Sequence, residues 1–231
     1  MDADDVSLPQ RFDRQVEYLF RHPECVAVGC DLLQIDPDGD PLSEVAHDVE
    51  HEVIEADLLS GGHGVIAHPT CMMRRSALLA IGGYREEFES VEDFDLWLRL
   101  AELGRLANMP EILFRYRVHY TNVIFTQVER QKQHADRIIT EARIRRGLKP
   151  LPQSIWSYTA PTLVERHQSW AWQAAGSGYH RTALKHTSIS LREAPFSLRS
   201  WCALCISVCP RRLRQFVKNV LLSAGLRKAT R

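Results

Sequence analysis

The hydrophobic and polar positions alternate between helix-like and strand-like periods up to about residue 124, and they follow a helix-like period after it. The first apolar positions with helical spacing form a single stripe, which predicts a helix over residues 7–22 that packs on this stripe. The members of the stripe are Phe12, Val16, Leu19 and Phe20.

Five further segments carry their own boundary signals. In chain order they are a β-rich strand at Val26–Ile35 that ends at the turn signal DPDGD, a polar helix over residues 44–60, a strand and a short helix from Ser76 that stop at Gly82-Gly83, an apolar helix in EDFDLWLRLAELG, and a loop and strand in RLANMPEILFRYRVH. This alternation predicts a mixed α/β domain over residues 1–124.

The remaining segments are helical. A charged helix over residues 125–147 and a linker in LKPLP precede further helices between residues 160 and 220, with breaks at Gly176–Gly178 and at Pro195. We therefore expect an all-helical C-terminal region over residues 125–231.

Charge is distributed unevenly along the chain. Residues 1–110 carry 23 acidic and 8 basic residues, which gives −15, whereas residues 111–231 carry 6 acidic and 21 basic residues, which gives +15. A basic C-terminal region of this kind meets phosphate groups or an anionic membrane surface; in the alternative interpretation, two solvated faces neutralise each other. Nucleic acid is not expected as a partner, because no nucleic-acid-binding motif accompanies the charge.

Residues 196–231 combine Trp201 and Phe216 with several arginines, so this tail either lies on an anionic membrane or packs on the rest of the protein.

Three of the six cysteines, in CALCISVC, have helical spacing and are expected to pack in the core rather than to bind metal. The cysteines do not form a disulfide pattern, and the acidic first residues lack the apolar run of a secretory signal. We expect a cytoplasmic protein that is peripheral at most to the inner face of the cell membrane.

Acidic residues suggest two kinds of chemistry. Asp2, Asp4 and Asp5 concentrate hard oxygen ligands, which suit Mg²⁺ or Mn²⁺, although an acidic tail has the same composition. Glu92 and Asp93 precede an apolar helix, where a carboxylate either complements the helix dipole or serves as a general base.

Two histidine-containing segments also offer candidate metal or phosphate ligands. Arg117 and His119 alternate along an extended segment, so both can face one way; His119 then completes a metal site or contacts phosphate, or it is structural. The stretch HDVEH matches a zinc-peptidase pattern if His47 and His51 share one helix face, but no third ligand is evident.

Taken in chain order, the motifs resemble the family 2 glycosyltransferases. The matching stretches are DADD at Asp2–Asp5, LPQRF at Leu8–Phe12, HPTCMMRRSAL at His68–Leu78, GGYREEF at Gly82–Phe88, EDFDLWLRL at Glu92–Leu100 and YRVH at Tyr116–His119. They cover about residues 1–125. Each motif is weak by itself, whereas the ordered set is specific.

This resemblance implies a fold and a reaction. The fold is the second half of a GT-A-type, Rossmann-like mixed sheet, followed by the helical region. The reaction transfers a sugar from a nucleotide-sugar donor to a hydroxyl of a glycan or lipid-linked acceptor, with inversion, in the synthesis of cell-surface polysaccharide.

The resemblance also implies roles for individual residues. Asp2 and Asp4 would bind the donor and a Mg²⁺ or Mn²⁺ ion, with Arg117 on the donor side and His119 at the metal or the diphosphate. The catalytic pair would be Asp93 as general base and Glu92 as its support.

In the family that the chain resembles, a nucleotide-binding half of the sheet precedes the D-x-D motif, whereas here only Met1 precedes Asp2. We therefore expect the chain to be a fragment that is inactive by itself. The rival interpretation is a non-catalytic remnant or interaction module at the membrane surface, and donor binding with and without Mn²⁺ distinguishes the two.

Overall fold

The computed structural model describes residues 3–62, 64–120, 128–152, 154 and 161–208. The chain divides into two compact units, which are Met1–Gly39 with Glu44–Ala160, and Asp40–Ser43 with Pro161–Arg231. The predicted mixed α/β class is confirmed. The boundary predicted at residue 124 separates the family resemblance from the helical region, and it stays a prediction. The compact structural units divide after residue 160.

The elements follow one another closely in the sequence. They are β1 (Val6–Ser7), α1 (Arg11–Arg21), β2 (Cys25–Ile35), β3 (Pro41–Val45), α2 (His51–Ser60), β4 (Met72–Met73), α3 (Arg75–Ala80), α4 (Glu92–Leu100), β5 (Arg105–Arg117), α5 (Val128–Arg145), α6 (Leu163–Ser177), α7 (His180–Glu193) and α8 (Leu198–Val208). None of the helices in this part of the chain is both long enough and apolar enough to cross a membrane.

A five-stranded mixed sheet contains β1, β2, β4 and β5 of the first unit together with β3. The strand order is β1-β5-β2-β3, and β4 pairs antiparallel with β2. Because β2 and β5 run parallel, their carboxyl ends at Ile35 and Arg117 meet at one edge. β1 runs antiparallel to β5 and pairs Val6 with Arg115, which brings Asp4 and Asp5 to the same edge. Open α/β sheets bind their ligands at such an edge.

Two hydrophobic cores cover the sheet. The larger core contains α4, whose Trp97 and Leu96 are fully buried together with Leu58 of α2 and Ile138 of α5. The smaller core lies where α1 packs, around Phe114 of β5. The apolar helix predicted in EDFDLWLRLAELG is confirmed as α4, and its apolar residues are buried, whereas Leu103, which follows the helix, is exposed.

The predicted apolar stripe on α1 is wrong for three of its four members. Leu19 is buried, but Phe12, Val16 and Phe20 are exposed, and Phe20 keeps 85% of its surface accessible. The helix is also shorter than expected, since it begins at Arg11 rather than at residue 7.

The buried face of α1 is instead partly polar. The Gln15 side-chain amide donates to the carbonyl oxygens of Val28 and Thr70 at 3.0 and 2.8 Å, and Arg11 Nη1 donates to Pro69 O at 2.8 Å. A buried polar group is tolerated when it is hydrogen-bonded, so these contacts decide which face turns inward.

This arrangement predicts opposite effects at two adjacent positions. Leu19→Ala should lower the free energy of unfolding by about 3 kcal/mol, because it leaves a cavity in the smaller core. Phe20→Ser should change it by less than about 0.5 kcal/mol, because the ring is exposed. Urea denaturation of both variants checks this, and similar losses in the two would contradict the assigned faces.

The prediction of one helix over residues 44–60 is wrong. β3 ends at Val45, residues 46–50 are not helical, and α2 begins at His51. The backbone N–H of His47 donates to Asp31 Oδ1 at 2.8 Å, which holds this segment against β2. The expected stop is confirmed, since Gly61 has a left-handed φ of 92°.

The second unit contains α6, α7 and α8. α6 begins with a capping box in which Thr162 and Glu165 satisfy each other's backbone N–H groups, and it ends at Gly178 with φ 89°. The predicted breaks at Gly176–Gly178 and at Pro195 are confirmed, whereas the predicted helical segment beyond residue 208 lies outside the described residues.

Candidate functional site

The first group of predicted site residues lies where β2 and β5 end. Asp4 Oδ2 is 3.2 Å from His119 Nε2, and both side chains are partly exposed. The backbone N–H of Arg117 donates to Asp5 Oδ1 at 2.9 Å, which ties the acidic segment to the end of β5. The predicted ligand Asp2 lies outside the described residues.

Arg117 binds the main chain of this edge. Its Nε donates to Asp4 O at 2.9 Å, and its Nη1 donates to the carbonyl oxygens of Asp36 and Pro37 at 3.1 and 2.8 Å. These contacts join the segments before β1 and after β2 to β5. The structure therefore gives Arg117 a positioning role, and its predicted contact with the donor stays a prediction.

The second group contains Glu92 and Asp93 in the first turn of α4. Asp93 Oδ1 accepts from the backbone N–H of Phe94 at 2.7 Å. Glu92 Oε2 is buried and has no hydrogen-bond partner among the described residues. The two adjacent carboxylates thus differ, because one is held by the helix N-terminus and the other keeps an acceptor oxygen available.

Two residues that were not predicted adjoin this pair. His68 Nε2 lies 2.8 Å from the Tyr84 hydroxyl, and the imidazole meets the ring of Trp97 edge-on with 5.9 Å between centroids. Burial raises the pKa of Asp93, and the nearby imidazole of His68 opposes that rise. Burial also raises the pKa of Tyr84, so its phenol stays protonated and can donate to His68.

Asp95, the third acid of the EDFD stretch, is a structural anchor. It is 1% exposed, and its carboxylate accepts from Arg85 Nε at 3.1 Å and from Arg99 Nε at 2.8 Å. Arg99 also donates from its two terminal nitrogens to Ile81 O and Gly83 O, both at 2.8 Å. Because Tyr84 lies between Gly83 and Arg85, this network fixes the turn that presents the phenol to His68.

The sequence contains a signal for these additional residues. His68 and Tyr84 belong to the stretches HPTCMMRRSAL and GGYREEF, but their separation by 15 intervening residues hides the contact that the fold creates. In both stretches the apolar residues follow a helix or strand pattern, but His68 and Tyr84 have no place in that pattern. Polar residues of this kind are the signal.

The structure does not support the zinc-peptidase interpretation. His47 precedes α2, whereas His51 is its first residue, so the two do not share a helix face. The imidazole of each has another partner: His51 Nδ1 accepts from the backbone N–H of Leu106 at 3.0 Å, and His47 Nδ1 is 3.4 Å from Asp31 Oδ1.

No protein-family model matches the chain. It is 29% identical over 118 residues to the amylovoran biosynthesis glycosyltransferase AmsE of Erwinia amylovora, covering 51% of this chain and 43% of that protein. It is 33% identical over 122 residues to the O-antigen biosynthesis glycosyltransferase WbnJ of Escherichia coli, covering 52% and 46%. The Bacillus subtilis protein EpsE, also named as a glycosyltransferase, is 36% identical over 119 residues, covering 50% and 41%.

The chain therefore spans less than half the length of these curated relatives. The names of two of them refer to the biosynthesis of a polysaccharide or of O-antigen. These similarities support a relationship between the chain and the glycosyltransferases.

Proposed function

We propose that the chain carries the base and the metal-side residues of an inverting, family 2 glycosyltransferase of the GT-A fold. The donor is a nucleotide-sugar, and the acceptor is a hydroxyl of a growing glycan or of a lipid-linked glycan. The observation that carries this proposal is Asp93, a carboxylate whose pKa is raised by burial at a helix start beside His68. The relatives that share this half of the chain are named as glycosyltransferases, which favours sugar transfer over other base-catalysed reactions.

The reaction needs a base for the acceptor hydroxyl. The raised pKa makes Asp93 a stronger base than an ordinary aspartate. Asp93 removes the proton while the acceptor oxygen forms a bond to the anomeric carbon. The bond from that carbon to the diphosphate breaks on the opposite face, and the nucleoside diphosphate leaves with the electron pair. A single displacement therefore inverts the configuration.

The first group of residues fits a divalent cation. Asp4 Oδ2 and His119 Nε2, 3.2 Å apart, can both face one ion, and the carboxylate supplies the hard oxygen ligand that suits Mg²⁺ or Mn²⁺. When bound, such an ion offsets the negative charge of the departing diphosphate as a Lewis acid. Arg117 contributes by holding the backbone of Asp4 in place.

The test of the reaction class uses a protein that contains residues 1–231. This protein is incubated with uridine- and guanosine-diphosphate sugars and a glycan acceptor. NMR then compares the anomeric configuration of the product with that of the donor. Inversion supports the proposal. Retention of configuration, or transfer that survives loss of every carboxylate in the two groups, would refute it.

The metal-side assignment predicts a specific binding defect. Asp4→Ala should weaken nucleotide-sugar binding in the presence of Mn²⁺ by about tenfold or more, because it removes one of the side chains that would hold the ion. Calorimetric titration with Mn²⁺ and with a chelator measures this.

The matched control is Asp13→Ala, which removes an exposed acid on α1 that belongs to neither group of site residues. Binding by the control should match the wild type. Donor binding that is equally tight with a chelator would mean that Asp4 does not act through a metal.

A further inference from the structure

α8 exposes large apolar side chains on one face and buries small side chains, two of them serines, on the other. Its exposed residues are Arg199 and the apolar set Leu198, Trp201, Cys205 and Val208, and its buried residues are Ser200, Ala203 and Ser207. The exposed apolar set has the spacing i, i+3, i+7 and i+10, which places it on one face of the helix. An ordinary surface helix buries its apolar face and exposes its polar face. The expectation that the cysteines of CALCISVC pack in the core is accordingly wrong for Cys205, which is exposed.

The loop before α8 extends the exposed apolar face. Phe196 is 97% exposed and Leu198 is 77% exposed. The loop is nevertheless held firmly, because Trp201 Nε1 donates to Pro195 O at 2.8 Å and Gln168 Nε2 donates to Ser197 Oγ at 2.8 Å. The α8 apolar surface is therefore defined as Phe196, Leu198, Trp201, Cys205 and Val208.

Hydrogen bonds on the inner face fix the orientation of α8. Ser200 Oγ accepts from Gln168 Nε2 at 3.0 Å and from the Ser190 hydroxyl at 3.0 Å. Rotating the helix to bury its apolar face would break these bonds and leave polar groups of α6 and α7 unsatisfied. The exposure of the apolar surface is thus a consequence of how the helices pack.

Two arginines and one glutamate adjoin this surface. Arg192 and Arg199 are exposed on either side of the loop, and Glu193 between them is also exposed. Over residues 161–231 the sequence carries twelve Lys and Arg residues and two Glu residues, a net of +10, and seven of the twelve lie beyond residue 208. An apolar helix face with aromatic residues and a basic surround complements an anionic bilayer, in which the apolar side chains enter the interface and the cations meet lipid headgroups.

We propose that the α8 apolar surface docks the second unit on an anionic lipid bilayer, with α8 lying in the interface. Phe196 and Trp201 enter the boundary between headgroups and acyl chains, and Arg192 and Arg199 contact the headgroups. This inference does not rest on the proposed glycosyltransferase activity, so it can be tested without a donor or an acceptor.

The test is co-sedimentation of the full chain with vesicles of phosphatidylglycerol and, separately, of phosphatidylcholine. We expect at least tenfold tighter binding to the anionic vesicles, and weaker binding as salt rises. Replacing both Phe196 and Leu198 by Ser should weaken anionic binding by at least tenfold, because two large side chains no longer enter the interface.

The matched control is Phe20→Ser, which removes an aromatic ring that is 85% exposed from α1 in the other unit. The control should bind vesicles like the wild type, and circular dichroism should show both proteins folded. Equal vesicle binding by the Phe196→Ser, Leu198→Ser variant and the wild type would overturn the proposal. So would equal binding to both lipids, or a wild-type dimer that the double substitution dissociates while neither protein binds vesicles.

Discussion

Asp93→Asn should lower turnover by about a thousandfold and leave donor binding close to the wild-type value. The amide fills the same space as the carboxylate, but it cannot accept the proton of the acceptor hydroxyl. The measurement is kcat together with a calorimetric Kd for the donor. Turnover near the wild-type value would remove Asp93 from the catalytic role.

The pH profile separates a base from a merely structural residue. Turnover should fall on acidification through the raised pKa of Asp93, and therefore at a higher pH than for an ordinary aspartate. His68 opposes the rise in that pKa, so His68→Gln should move the acidic limb to still higher pH. An unchanged limb in His68→Gln would contradict the arrangement of Asp93 and His68.

The same raised pKa affects stability. A carboxyl group whose pKa is higher in the folded than in the unfolded state stabilises the fold while it is protonated, and this contribution is lost as pH rises through the folded-state value. Asp93→Asn should therefore be more stable than the wild type at pH 7, with a difference that shrinks toward pH 4. A variant that is inactive yet more stable is the expected signature of a buried catalytic carboxylate.

Asp95→Ala should lower the free energy of unfolding by about 3 kcal/mol or more, since removing one partner of a buried ion pair leaves the other charge uncompensated. Arg99 is the more buried of its two partners, and Arg85 is also bound to Glu141 at 2.9 Å. Urea denaturation measures the loss, and a value below about 1 kcal/mol would contradict the network.

Glu52→Gln provides the matched control for Asp95→Ala. Glu52 forms two hydrogen bonds with Arg105 at 2.6 and 2.9 Å, but both side chains are exposed. Its loss should leave stability close to that of the wild type, because water replaces the lost partner at little cost. The comparison separates the effect of burial from that of ion-pair geometry.

Local patterns predicted the elements whose apolar side chains all pack against hydrophobic core residues. The run Val26–Ile35 was identified correctly because a mostly apolar segment, interrupted only by Asp31 and Gln34 before DPDGD, suits a strand that is covered on both faces. α4 was identified because its apolar face meets a single large core. In both cases the sequence pattern and the tertiary environment agree.

Predictions failed where a polar side chain found a distant backbone partner. Gln15 faces inward because it bonds to Val28 and Thr70, and the three exposed apolar residues of α1 face outward as a result. The contact between His68 and Tyr84 depends on the turn held by Asp95, which no periodicity reveals. The sequence predicted which residues belong to the candidate site, from motifs in chain order. The hydrogen bonds between these residues are seen only in the fold.

The edge of the sheet that holds Asp4 joins parts of the chain made at very different times. Asp5 and Arg117 are 112 positions apart, and the two-residue strand β1 pairs only with β5. During synthesis α1 and β2 can form while β1 still waits for its partner, so this edge is completed late. A strand with so few backbone bonds also opens at little cost in the finished protein. If an ion or a diphosphate binds at this edge, as we propose, its affinity includes the free energy of ordering residues 3–8, and hydrogen exchange there should slow on binding.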